Sequence, residues 1–351
     1  MMNFLNLNGF VREADDLKLL IIDGDYFDSK ITFSDPAGFY AMLFFNEILT
    51  ICKEKGITMR MIQGTRSHDL NQLQVFKCHE TDPDLDFRVI EAVEREELFG
   101  LKLLYLPEEY PQNSEEYYAD YKSSESYYNI IFGHGTWDFV AQQGLLEKSL
   151  KTDVCSAPVF IWKEWKHTVP NGFVSFGHIH GRNTYGKKIF HSGSFTRWGF
   201  NEISPRGFTY FTYDTDNEKY EVNYIDNVLA PDYQNYSVSD ALLLESDAPK
   251  IQEEIEKQLE KVDFLKVDLS GLSSEKIEIL RKTFAKNPNI KIEVKTKTKA
   301  LLKESENVIE FSKYHYITKR QLPINQMVQR FCKEEMLKDL SIEDIDRILK
   351  P

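Results

Sequence analysis

Phe176-Gly177-His178-Ile179-His180-Gly181 closes an apolar run with two histidines one residue apart, set between two glycines. In an extended segment, residues i and i+2 point to the same side, so both imidazoles face one point. The flanking glycines let the chain turn sharply there. Alone, the hexapeptide reads equally well as a metal-binding corner or as two surface loop histidines. The rest of the chain decides between them.

Other apolar runs of strand length end the same way. Leu17 to Asp23, expected to be buried on both faces, runs into Gly24-Asp25-Tyr26-Phe27-Asp28. Ile57 to Gln63 runs into Gly64-Thr65-Arg66-Ser67-His68-Asp69, and Tyr128 to Phe132 into Gly133-His134-Gly135-Thr136-Trp137-Asp138. Ile189-Phe190 runs into His191-Ser192-Gly193-Ser194. Chance supplies a polar residue after one or two such glycine turns, but hardly after all five. Layered α/β folds build sites this way, because ligands collect beyond one edge of a sheet.

The 351 residues are long for a single core, and 42% hydrophobic content is ample to bury a large domain and one or two smaller ones. A net charge of −13 argues against a protein that coats polyanions, yet leaves room for a nucleic-acid enzyme with a local cationic groove or bound metals. Cys52, Cys78, Cys155 and Cys332 have no C-x-x-C spacing and read as reduced thiols. No apolar window reaches membrane-span length and no cleavable leader is visible, so a cytoplasmic protein is expected. Neither a Gly-x-Ser-x-Gly elbow nor a Walker lysine loop is present, which points away from serine hydrolases and P-loop ATPases.

Between the turns, residues 1–16 read as a short amphipathic helix. A longer helix is expected to start at Ser34-Asp35-Pro36, with Asp35 as cap, and to stop at Gly56. Asp86 to Leu106 reads as β-rich and is followed by an acidic, tyrosine-rich loop; hairpins are expected near 205–225 and a polar linker near 230–238. Helix 248–261, strand 264–269, helix 273–286 and strand 290–295 make a small α+β module without histidine. The tail from Gln321 reads as two helices, the last opened by a capping box at Ser341-Ile342-Glu343-Asp344 and striped by Ile342, Ile345 and Ile348.

The candidate site residues are Asp25, Asp28, Ser67, His68, His134, His178 and His180. Mixed carboxylate and imidazole donors suit Mn, Zn or Fe better than Ca or Mg alone. Two ions held about 3.5–4 Å apart clamp a phosphate and activate water without any nucleophilic side chain. His79, His167 and His315 lie outside the motifs, and His191 reads as near the site without being a ligand.

The ordered set Gly24-Asp25-Tyr26-Phe27-Asp28, Gly64 to Asp69, Gly133-His134 and Gly177-His178-Ile179-His180 resembles the motifs of the calcineurin-like metallophosphoesterases, over roughly residues 15–225. His191-Ser192-Gly193-Ser194-Phe195-Thr196-Arg197, the following module and the helical tail resemble more narrowly the SbcD-type DNA repair and recombination nucleases, including those of large bacteriophages. The resemblance implies an α/β fold, a four-layer sandwich of two mixed sheets flanked by helices. The expected divisions are a nuclease domain (1–228), an α+β capping module (229–300) and a C-terminal helical tail (301–351).

It also implies roles: Asp25 bridges two divalent ions, with Mn²⁺ the expected metal and Mg²⁺ the alternative for both; His134 and His178 bind the second ion and His180 the first. His68 stands outside the metal shell to orient phosphate or protonate the leaving oxygen, Asp69 orients His68, and Asp28 holds its loop. The implied partners are DNA, an SMC-like ATPase (SbcC-type) docked on the tail, and a second copy of the chain; no membrane is involved.

Two departures stand out. Where the family has a single Asn between Gly and His-Asp, Thr65-Arg66-Ser67 intervenes; Ser67 is the expected stand-in ligand, and Arg66 is expected to contact phosphate. The family also opens with a strand ending in Asp-x-His, and residues 1–23 contain no histidine; a late start of this chain is the expectation adopted. The rivals to a nuclease are a phosphoesterase on small molecules or phosphoproteins, and a catalytically impaired scaffold of the same fold.

Overall fold

The computed structural model describes residues 10–11, 13–27, 29–31, 36–69, 72–142, 158–197, 199–200, 202 and 204–294. Asp28, the Ser34-Asp35 cap, most of the amphipathic stretch at 1–16 and the helical tail 301–351 lie outside those residues. The chain is a mixed α/β protein with several sheets, and it forms two compact units. One comprises 1–235, 254–266 and 288–291; the other comprises 236–253, 267–287 and 292–351.

The larger unit begins with a parallel three-stranded sheet in the order β1 (Leu19–Ile22), β2 (Thr58–Ile62), β3 (Phe87–Ile90). The connection from β1 to β2 is helix α1 (Pro36–Lys55), which Gly56 ends at φ +65. A 3₁₀ helix (Leu73–Thr81) precedes β3. β1 is half-buried along its length, not buried on both faces as its composition suggests, because it sits at the sheet's edge.

The second sheet has six strands: β4 (Glu94–Leu98), β5 (Leu101–Leu106), β6 (Ile130–His134), β9 (Phe173–Gly177), β10 (Asn183–Tyr185) and β11 (Ile189–His191), in the order β10-β11-β9-β6-β5-β4. Its four central strands are parallel, and β10 and β4 pair antiparallel at the two edges. A short parallel pair, β7 (Thr136–Trp137) with β8 (Val159–Phe160), and helices α2 (Ser114–Tyr117), α3 (Asp138–Gln142) and α4 (Trp162–Trp165) fill the connections. Strands β12 (Gly207–Asp214) and β13 (Lys219–Asp226) form the expected hairpin.

Among the described residues of this unit, strand alternation sends side chains to three apolar clusters. Met59, Met61, Phe87 and Val89 pack with Phe45, Ile48, Leu49 and Cys52 of α1 and with Leu73 and Phe76 of the 3₁₀ helix. The opposite face of β2 and β3, through Ile62 and Ile90, packs with Leu103, Tyr105, Ile130, Phe132, Phe173 and Phe190 of the six-stranded sheet, joined by Phe211, Tyr220 and Val222. The far face of that sheet, through Leu104, Leu106, Ile131, Val174 and Phe176, packs with Trp137, Val140, Phe160 and Trp165. Each fully buried side chain of this size contributes about 1.5–3 kcal/mol. Parallel strands anchored this firmly deliver their C-terminal ends, and the loops leaving them, to fixed places.

Beyond residue 232 the chain continues through β14 (Tyr233–Ser237), α5 (Ala248–Leu259), β15 (Phe264–Asp268), α6 (Ser274–Phe284) and β16 (Ile290–Glu293). The strands form one sheet in the order β14-β15-β16. In the smaller unit Ile251, Val267, Leu269, Leu280 and Phe284 are buried. Ser273 caps α6 by accepting the Lys276 N–H. β14 lies within the stretch expected to be a polar linker, because its Tyr-Gln-Asn-Tyr-Ser sequence carries no apolar alternation.

Candidate metal centre

The loops that leave β1, β2, β5, β6 and β9 converge. His134 is the last residue of β6 and stands opposite Gly177 in the β6–β9 register, so His178 is its next neighbour. Their rings approach edge to face, with centroids 5.2 Å apart. Asp25 reaches the same place from β1, in the other sheet. Ligating atoms of Asp25, His134 and His178 all lie within 4.8 Å of one another. Asp25 is more than a hundred positions in sequence from either histidine, and only the fold brings the three together.

Two glycines make the convergence sterically possible. A Cβ on Gly64 would lie 2.2 Å from the Asp25 backbone nitrogen, and one on Gly177 would lie 2.0 Å from the Asp23 carbonyl oxygen. Asp25 and His178 both hold positive φ, at 51° and 78°, which is costly for residues with a Cβ. Local strain of that kind, about 1–3 kcal/mol for each such residue, persists where surrounding structure enforces it and clusters at functional sites.

Hydrogen bonds then fix each group. The Asp69 carboxylate accepts the backbone N–H groups of Asp25 (2.8 Å), Gly64 (2.9 Å) and Phe27 (3.3 Å), tying the β1 and β2 loops together. That backbone clamp is the role these contacts give Asp69. His134 Nδ1 lies 2.7 Å from the Asp23 carbonyl, which accepts only, so Nδ1 carries a proton. Nε2 then faces Asp25 Oδ2 at 3.1 Å. An imidazole whose outer nitrogen donates to a carbonyl, with its inner nitrogen turned to a common centre, is the usual posture of a metal-binding histidine. His68 Nδ1 is buried, 3.3 Å from the same carboxylate oxygen, while the side chain as a whole is part-exposed.

Burial pushes the Asp25 carboxyl up, but the charge on His134 and hydrogen bonds from His134, His68 and the Thr65 N–H outweigh it and hold it well below the usual carboxylate range. The same pairing raises His134 above an ordinary imidazole against its own desolvation. A proton on His134 thus places a positive charge beside the Asp25 carboxylate. Asp23 is pushed up to about 7 by burial, offset in part by Ser175, whose hydroxyl donates to it. Burial and the neighbouring His178 charge depress His191 to about 3, so it stays neutral.

His180 lies outside the cluster of three. Its Nδ1 stands 2.7 Å from Glu202 Oε1, and Arg206 in turn contacts Glu202 at 3.6 Å and donates to the His180 carbonyl. Ser67 is exposed in its turn; the hydroxyl that reaches the cluster belongs to Thr65, directly after Gly64. Arg66 is also exposed and lies over the Tyr110 ring, 5.2 Å from its centroid.

Three participants escaped the sequence reading. Thr65 was passed over for Ser67, although it occupies the position immediately following the glycine. Glu108 is buried two residues past the end of β5 and contacts Thr65; the strand-end rule that found the others would have found it, but no glycine marks that turn. Glu202 carries no local signal. The donor set of one carboxylate and two imidazoles fits a divalent transition metal. No protein-family model matches the chain, and a search of curated proteins finds no match.

Proposed function

We propose that the chain is a calcineurin-like metallophosphoesterase of SbcD type, a four-layer sandwich that hydrolyses phosphodiester bonds in DNA. The observation that carries the reading is the meeting of Asp25, His134 and His178 at the C-terminal ends of strands from two sheets. The three apolar clusters support the layer order of helix, sheet, sheet and helix.

Divalent ions, Mn²⁺ foremost, supply Lewis-acid charge that polarises the phosphate and activates water when bound. Asp25, His134 and His178 hold one such ion, with His134 Nε2 kept available by the Asp23 carbonyl. His180, whose Nδ1 is paired with Glu202, would with Asp25 hold a second such ion. His68, part-exposed beside Asp25, positions the phosphate and gives a proton to the leaving oxygen. Arg66, exposed next to it, meets the phosphate backbone. The partners are DNA, an SMC-like ATPase and a second copy of the chain. Among the described residues no helix is long and apolar enough to cross a membrane.

A second reading, a non-catalytic scaffold of the same fold holding a single ion, is favoured by one observation: His180 stands outside the ligand cluster. Cleavage of duplex DNA ends and of a small phosphodiester ester is therefore measured in Mn²⁺, alongside calorimetric counting of bound ions. The nuclease reading expects two ions and faster turnover of DNA, lost in Asp25→Ala and His178→Ala. Preference for the small ester displaces it in favour of a small-molecule phosphoesterase; one ion without turnover displaces it in favour of the scaffold.

A further inference from the structure

Asp25 Oδ2, His134 Nε2 and Thr65 Oγ1 form a triangle with sides of 3.1, 3.2 and 3.4 Å. Bonds of about 2.1 Å to one ion place neighbouring ligand atoms about 3.0 Å apart in an octahedron and about 3.4 Å apart in a tetrahedron. The Thr65 hydroxyl therefore stands where a ligand atom stands, on the same face as two proposed ligands. It is held there from both sides. The Thr65 N–H donates to Asp25 Oδ1 at 2.6 Å, and the hydroxyl lies 3.1 Å from Glu108 Oε2.

Glu108 is the unusual partner. It is 1% exposed, and its other oxygen accepts the Tyr110 hydroxyl at 2.5 Å. Its Oε2 is also 3.9 Å from His134 Nε2. A buried carboxylate whose closest donors are two neutral hydroxyls is stabilised by positive charge nearby. Thr65 has one proton to share between Asp25 and Glu108. If Asp25 turns its lone pairs to a cation, Glu108 remains to accept that proton, which leaves the hydroxyl's own lone pairs for the ion and strengthens them as donors.

Resting on the metal reading above, we propose that Thr65 is a protein ligand of the ion at Asp25, His134 and His178, and that Glu108 is a positioning residue acting through it. A neutral hydroxyl is a weak donor; a buried carboxylate bound to its hydrogen makes it a better one. The pair would do jointly what an amide ligand does alone. Ser67, exposed two residues on, has no such backing.

The test is calorimetric titration of the full chain with Mn²⁺. Thr65→Val keeps the side-chain shape and removes the hydroxyl, Thr65→Ser keeps the hydroxyl, and Glu108→Gln keeps the shape and weakens the acceptor. The expected result is a tenfold or greater loss of Mn²⁺ affinity in Thr65→Val and in Glu108→Gln, with Thr65→Ser within threefold of the parent. Losses of about 10–100-fold are usual when a group behind a metal ligand is removed. A merely structural role for Thr65 would lower thermal stability without separating Ser from Val in metal affinity. Unchanged affinity in Thr65→Val or Glu108→Gln, with binding abolished in Asp25→Ala, would overturn this inference and leave the metal centre standing. Absence of Mn²⁺ binding by the parent chain would overturn both.

Discussion

Asp69 shows how much a single buried carboxylate decides. It is 1% exposed, and its oxygens gather three backbone N–H groups from two loops. Each orphaned buried donor costs about 1–3 kcal/mol. Asp69→Ala is expected to lose about 3 kcal/mol or more, seen as a lower urea midpoint at unchanged slope. Asp69→Asn can turn its carbonyl oxygen to Asp25 and Gly64 and sacrifice only the long bond to Phe27, so about 1 kcal/mol is expected. Equal stability of the Ala variant and the parent would mean that water reaches those N–H groups. At this scale the sequence showed which residue types to look at but not what each touches. Asp25, His134 and His178 were legible because glycine turns mark strand ends. Thr65 and Glu108 were not, because a hydroxyl becomes a candidate ligand only when two others lie within 3.4 Å of it.

Between elements, the least expected link is ionic. Arg60 of β2 is 2% exposed and reaches Glu96 of β4 with two bonds, Nη2 to Oε1 at 2.7 Å and Nε to Oε2 at 3.0 Å, joining the two sheets. Tyr105 donates to the same carboxylate, and Asp86 takes another Arg60 nitrogen at 2.8 Å. Breaking one arm of a buried pair costs about 3–5 kcal/mol. Asp86 still neutralises Arg60 in part, so Glu96→Gln is expected to cost about 2–3 kcal/mol at pH 7. Burial raises the Glu96 carboxyl, but the bonds from Arg60 and Tyr105 prevail and hold it below its ordinary 4.5. A depressed acid contributes stability above its unfolded pKa and loses it as pH falls through the lower folded value. The difference between parent and Glu96→Gln should therefore stay level from pH 8 to 5.5 and shrink below about 4.5. A difference that grows on acidification would sink the assignment. Periodicity made α1 and the β12–β13 hairpin readable, while β2 and β9 were readable as short apolar runs, buried on both faces. It could not reveal β14, whose polar residues show no alternation, nor that an arginine in an apolar strand faces the other sheet.

At the scale of the molecule, α1 presents two faces. One face of that helix buries Phe45, Ile48, Leu49 and Cys52 in the core. Phe39, Tyr40 and Leu43 stand 56%, 49% and 42% exposed, at spacings of one and four residues that place them together on the helix surface. Single exposed apolar residues are ordinary, whereas two aromatics and a leucine side by side suit a contact surface. The proposed homodimer supplies its partner, because a two-fold interface matches a patch with its own copy. Phe39→Glu with Leu43→Glu puts four carboxylates into such an interface, and each of the replaced side chains, already half covered, forfeits about half of the 1.5–3 kcal/mol of full burial when withheld from it. Two lost on each side weaken association by on the order of 10³-fold, at 1.4 kcal/mol for each tenfold. Sedimentation equilibrium at micromolar chain should give twice the chain mass for the parent and the single-chain mass for the double variant. The thermal midpoint of the variant should follow that of dilute, dissociated parent, because neither side chain contributes to the core. A parent that stays monomeric at every concentration, or a double variant that stays dimeric, would remove α1 from any account of self-association.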